Sequence, residues 1–194
     1  MSSYSLSYTA ASLRRPESVT LAQTFAATPD WGEVRRRCVE DDILMLRFES
    51  SRKRISSELI KRLRNLSAGE LEGLAGSDDS ALQTAILWVA VCRTYEFVAD
   101  FAEQVIAERW ESGKRDIPVG AYETFFEEAA LVHPEVAKLT ESTRPRMRNQ
   151  LYQMLREAGM LDDATGLLPL ILPASALDLF GTRELADFPT RVQV

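Results

Sequence analysis

The stretch TESTRPRMRNQLYQMLREAGMLDDATGLLPLILP, Thr140 to Pro173, decides how the C-terminal part of this chain folds. Wound at about 100° per residue, Thr143 to Ala158 places Met147, Leu151, Met154, Leu155 and Ala158 on one stripe. An apolar stripe of this width must be buried. The opposite face carries Arg146, Asn149, Gln150, Gln153 and Arg156, residue types whose donors and acceptors match base edges in a DNA groove. Arg144 and Arg148 flank the stripe near the helix start, within reach of phosphates. Gly159 supplies a left-handed C-cap position. Two short apolar runs, Met160 to Asp162 and Leu167 to Leu172, bracket Asp163-Ala164-Thr165-Gly166 and predict strand, turn, strand. A polar helix face is also what any solvated surface helix shows, so the wheel alone leaves both readings open.

Upstream, Tyr122 to Leu131 and Pro134 to Leu139 predict two more helices. Three helices followed by a β-ribbon fit a winged helix-turn-helix. The polar, glycine-bearing segment Glu111 to Pro118 marks a boundary. The expectation is an all-α protein: a helical bundle domain over 1–112, then a winged helix-turn-helix-like domain with a short β-hairpin and a tail over 113–194.

In the first part, Pro16-Glu17-Ser18 opens a helix through Val19, Leu21, Ala22 and Phe25, after a polar stretch over residues 1–15 that reads as a short helix or an arm. Thr28-Pro29-Asp30 predicts the next helix start, with Thr28 as N-cap and proline at N1. Whether Ile43 to Phe48 continues that helix or forms a connector is open. A second basic helix spans Arg52 to Leu66, with Ile55, Leu59, Leu63 and Leu66 inward and Lys53, Ser57, Lys61 and Arg64 outward. Arg54 stands at the edge, and Arg52, Lys53, Arg54, Lys61 and Arg64 form a second candidate phosphate patch. Arg62 pairs with Glu58 at i,i+4 beside the apolar stripe, which reads as structural. Ser67 and Glu70 have capping-box spacing. Ala81 to Cys92 is apolar on all sides and belongs in the centre of a bundle. Tyr95 to Trp110 continues at helical spacing, and residues 174–194 predict short helices folding back onto the body.

Composition bounds the function. The net charge of −6 argues against a chain that coats nucleic acid indiscriminately, though a local basic face on an acidic body remains open. Cys38 and Cys92 show no metal-ligand spacing, so a reducing cytoplasm is the default expectation. No apolar run approaches the ~20 residues that a membrane helix needs, and no signal peptide is read at the N-terminus. His133 is the sole histidine, so a zinc site or a Ser/His/Asp hydrolase would have to use it alone. No phosphate loop or dinucleotide fingerprint occurs. The expectation is a non-enzyme without metal or cofactor.

Scattered positions carry a family likeness: Glu17-Ser18, Asp30-Trp31, Arg54 with Arg62-Leu63, Tyr95-Glu96-Phe97, His133-Pro134-Glu135, Leu139 to Thr143, and Met154 to Gly159. This pattern, extending from about residue 7 to residue 180, resembles the BrxA family, the small A protein of BREX bacteriophage-defence systems. The resemblance implies an all-helical, non-catalytic protein that binds double-stranded DNA through a helix-turn-helix-type C-terminal part, alongside other defence-system proteins. It supplies no binding residues, which come from the helical wheels alone. Two alternatives remain: a protein–protein adaptor docking through the acidic face from Glu96 to Glu128, and an RNA-binding helical protein.

Overall fold

The computed structural model describes residues 4–192. Residues 1–3 of the expected arm and 193–194 of the tail lie outside them. A 3-10 turn at Ser7–Ala10 precedes α1 (Arg15–Ala27), α2 (Trp31–Glu40), α3 (Glu49–Leu63), α4 (Ala68–Gly76) and α5 (Ser80–Thr94). Next comes an unbroken helical run: α6 (Glu96–Phe101), a π turn (Ala102–Ile106) and α7 (Ala107–Glu111). The later elements are α8 (Val119–Val132), α9 (Pro134–Ala137), α10 (Thr143–Glu157), the strands β1 (Leu161–Asp162) and β2 (Gly166–Leu167), α11 (Ala174–Leu179) and α12 (Thr182–Ala186). The protein is mostly helical, with one small two-stranded hairpin among the described residues.

Local chemistry explains several boundaries. Ser67 and Glu70 close the expected capping box at the start of α4, satisfying two orphan helix donors at once. Asp79 caps α5 by accepting from Ala81 N at 2.8 Å. The start of α2 differs from expectation. Thr28 is the C-cap of α1, and Asp30 caps α2 by accepting from Gly32 N at 2.7 Å. A carboxylate competes better than a hydroxyl for these donors, because charge-assisted bonds are stronger. Ile43 to Phe48 is a connector, turned by left-handed Asp42 and Met45.

The core centres on α5, where Ile86, Trp88, Val89 and Ala90 are fully buried. The π turn sets an i→i+5 bond from Ala107 N to Ala102 O, which rotates the helix so that Ala102 and Ile106 point inward while Val105 is only partly covered. The buried cluster continues across the segment at 112–118. Phe97 and Phe101 meet Phe125 edge-on at 5.0 and 5.3 Å, so α8 packs on the aromatic face of α6. His133 stacks on Tyr4 at 3.6 Å between ring centroids and serves packing at the α8–α9 junction.

The tail returns to the N-terminal body. α11 packs on α5, and the buried Trp88 indole donates to Asp187 O at 2.7 Å. Leu170 bridges to Arg191 in parallel register. The Asp187 carboxyl is pushed up to about 7, first by burial and then by the Glu184 charge, with Arg183 and Arg93 opposing. A carboxyl raised in the folded state favours folding when protonated, and that stability is lost as pH climbs from about 4 to 7. Asp187→Asn is therefore expected to match wild type below pH 4. It should gain with rising pH, to a plateau of about 2 kcal/mol above pH 7 after allowance for solvent screening. Melting curves at pH 4 and pH 8 check this; an equal shift at both would show that Asp187 ionises normally.

Candidate nucleic-acid interface

The stripe read from the sequence positions α10. Met147, Leu151, Met154 and Leu155 are completely buried, and Ala158 nearly so. The helix ends in a Schellman arrangement: Met160 N donates to Leu155 O and Gly159 N to Arg156 O, both at 3.0 Å. This satisfies the last carbonyls and turns the chain into β1. Asp162 then accepts from Ala164 N, Thr165 N and Thr165 Oγ1 at 2.9–3.0 Å. Those donors hold its carboxyl below the usual range and shape the turn. β2 is far shorter than the run Leu167 to Leu172 suggests. Pro169 has no N–H to donate, and Leu170 N donates instead to Thr190 O at 3.0 Å.

On the outer side of α10, Arg146, Asn149, Gln153 and Arg156 are exposed. Their i, i+3, i+7, i+10 spacing makes one continuous row along a helix about 22 Å long. Arg146 has no side-chain hydrogen bond or ion pair among the described residues. Arg156 donates to Asp163 of the hairpin at 2.6 Å, and Gln153 donates to Glu157 at 3.0 Å. The flanking arginines turn toward α8. Arg148 is half-buried beside Glu123 at 3.3 Å, and Arg144 lies over the Phe126 ring at 4.5 Å with its Nε buried and unpaired. Gln150 sits partly covered, its amide nitrogen also buried without a partner.

The second basic helix divides in the same way. Arg52 pairs with Asp42 at 3.2 Å and Lys53 with Glu49. Lys61 donates to Ser5 at 3.0 Å and stands over the Tyr95 ring. Arg54 and Arg64 are exposed, with no side-chain partner among the described residues. The structure brings one residue of this helix to α10. Arg54, Gln150, Gln153 and Glu157 line a single groove of about 640 Å³, whose other wall is the segment Thr9–Glu17 with Arg14 and Arg15. The wheels missed Arg14 and Arg15. The only signal was a dibasic pair before the helix-opening Pro16, and nothing local placed that pair beside α10. Among the described residues there is no cluster of three or more metal-binding side chains, and no helix long and apolar enough to cross a membrane.

The BrxA family model matches residues 2–183 of the chain. The chain belongs to the BrxA family. It is 25% identical to the BREX protein BrxA of Escherichia coli O9:H4 (strain HS) over 75% of this chain and 68% of that protein. Likeness to the BREX protein BrxA of Bacillus cereus (strain H3081.97) is 23%, over 76% and 73% of the two chains. The fold is that of an uncharacterised protein from Magnetospirillum magneticum, whose crystal structure superposes with a TM-score of 0.80 at 19% identity, covering 97% of this chain and 96% of the other. Membership in the BrxA family places the chain in a BREX defence system. The resemblance read from Glu17-Ser18 through Gly159 is thereby established at the level of the family.

Proposed function

We propose that this BrxA-family chain is a non-catalytic subunit that binds double-stranded DNA for its BREX system, with α10 as the recognition helix. One observation carries the reading: the unbroken exposed row Arg146, Asn149, Gln153, Arg156 on a helix whose opposite face is wholly buried. Arginine and amide side chains in one line supply bidentate donors for guanine and adenine edges as well as phosphate contacts. On this reading α8, α9 and α10 with the hairpin act as a winged helix-turn-helix, α9 leading into the recognition helix and the hairpin lying beside the duplex. Glu123 and Asp163 do not supply contacts. They hold Arg148 and Arg156 in place until a phosphate competes for them.

The test is the affinity for a duplex measured from low to moderate salt, with Arg146 and Arg156 both changed to Glu. Wild type is expected to bind with an affinity that falls steeply as salt rises. The double variant should bind at least about tenfold more weakly, with a shallower salt slope. Equal binding by the variant would overturn the face assignment, and no duplex binding at any salt would overturn the function. Structured RNA competing better than duplex DNA would overturn it too, since an A-form major groove does not admit a helix in this way.

A second reading, an adaptor for another BREX protein, is favoured by Leu131 and Val132 at the end of α8, which are 88% and 73% exposed. Apolar side chains in adjacent exposed positions suit a protein partner better than a phosphate backbone. Co-purification with another BREX protein that is lost in Leu131→Ser, with no binding of duplex, would favour this reading.

A further inference from the structure

We infer that the groove between the segment Thr9–Glu17, α3 and α10 is a second contact for duplex DNA, taking one sugar–phosphate strand of the duplex that α10 reads. The inference rests on the DNA-binding reading and extends it to residues outside α10. The N-terminal segment, α3, α5 and α10 converge on this groove, and the first two bring exposed cationic donors. Arg54 projects from α3 with no side-chain partner among the described residues. Arg15 spends one nitrogen on the neutral amide of Gln83 at 2.9 Å, so its charge is uncompensated. From α10 comes Gln150, whose buried amide nitrogen lacks an acceptor.

Of the two carboxylates in the groove, Glu17 is neutralised by Arg14, whereas Glu157 is held by neutral donors and keeps its charge; Arg15 and Arg54 outweigh it, three arginines standing against two carboxylates. Glu17 accepts from Arg14 at 2.7 Å. Glu157 accepts from Leu13 N at 2.7 Å and from Gln153 at 3.0 Å. The Leu13–Glu157 bond also fastens the N-terminal segment against α10, so the groove wall and the recognition helix move as one body. Arg14 holds a left-handed backbone, with φ at 50°, a conformation that costs a non-glycine residue free energy and persists only where surroundings enforce it. The groove, at about 640 Å³, admits a length of backbone but not a whole duplex. A strand seated there would be contacted by α3 and α10 together. The two basic helices, though nearly a hundred residues apart, would then act on one DNA molecule.

Arg54→Glu tests the inference, because an exposed, unpartnered side chain can be reversed without disturbing the core. The probe is a labelled duplex of about two helical turns, its binding followed by anisotropy over a salt series. Arg54→Glu should weaken binding about fivefold or more and reduce the salt slope by about one. The loss should be the same for unrelated sequences, because a phosphate contact carries no base information. Arg54→Lys should restore most of the affinity. Arg35→Glu, on the exposed side of α2 and outside the groove, should change affinity less than about twofold. Wild-type affinity and slope in Arg54→Glu, alongside weakened binding in the α10 variant, would overturn the groove contact and leave the DNA reading standing. An equal loss in Arg35→Glu would also overturn it, since the effect would then be one of diffuse charge. Absence of duplex binding by the wild-type protein would overturn both.

Discussion

Arg62→Ala is expected to destabilise the protein by about 3–5 kcal/mol, the range for removing one partner of a buried ion pair. Only 3% of the Arg62 side chain and 7% of the Glu58 side chain are exposed. The guanidinium donates to Glu58 at 2.8 Å and to Ala11 O at 2.7 Å, and it also reaches Ser12 O. Tyr95 donates its hydroxyl to the same Glu58 carboxylate. Removal of Arg62 strands a buried carboxylate and takes a donor from three carbonyls of the N-terminal segment, those of Tyr8, Ala11 and Ser12. The midpoint of thermal unfolding should fall by about 10 °C or more. Amide exchange should accelerate first over residues 8–13, where the arm loses its anchor. Replacing both partners, Glu58→Gln with Arg62→Met, should cost less than Arg62→Ala alone, because no buried charge is then left unpaired. A loss below about 1 kcal/mol in Arg62→Ala would mean that water reaches Glu58. The pair also matters to the groove, since the arm it anchors carries Leu13, Arg14 and Arg15.

Arg62 illustrates what the sequence could and could not disclose. Its i,i+4 spacing to Glu58 and its place beside the apolar stripe of α3 marked it as structural, because both facts are local. The carbonyls of Ala11 and Ser12 lie some fifty residues away, and no periodicity points to them. The same division holds elsewhere. Capping at Ser67 and the buried stripes of α3, α5 and α10 follow from spacing within one helix. The π turn at Ala102–Ile106 leaves no local sign; it lies where the helix packs against α8. Thr28 and Asp30 both carry capping side chains; the carboxylate takes the start of α2, while Thr28 closes α1.

For the candidate interface, legibility ends at the helix wheel. The wheel separates Met147 from Arg146 correctly, since burial on α10 follows the 3.6-residue period. It cannot separate Arg146, which has no side-chain partner among the described residues, from Arg148, which meets Glu123 of α8, because that distinction belongs to the partner helix. Nor can it join Arg54 to Gln150. Their meeting depends on the N-terminal segment crossing α10, fixed by the Leu13–Glu157 bond, and that bond involves a backbone N–H with no sequence signature. Charge in this protein is distributed locally: the chain is acidic overall, yet one groove gathers three arginines. Net charge is therefore a weak guide to what this surface binds.

Gly166→Ala is the substitution expected to disturb the C-terminal region most. Gly166 has φ at 80°, and a Cβ built on it would lie 2.1 Å from Arg115 O and 2.7 Å from Arg115 C. The left-handed backbone alone costs alanine about 1–2 kcal/mol. The overlap adds to this, because it falls on main chain that no rotamer change can move aside. Relief requires the hairpin to leave the segment at 112–118, which breaks the bond from Leu167 N to Arg115 O. The sum should reach about 3 kcal/mol or more. Gly113→Ala separates the two terms: Gly113 has φ at 75° but nothing within 4 Å of its built Cβ, so it should pay only the backbone cost of about 1–2 kcal/mol. Thermal unfolding of the two variants is the check, and equal losses would show that the hairpin yields without resistance. Displacing the hairpin also carries Asp163 away from Arg156. Gly166→Ala should therefore alter the salt dependence of duplex binding without changing a single charge, which ties the hairpin's seat on Arg115 to the surface that α10 presents.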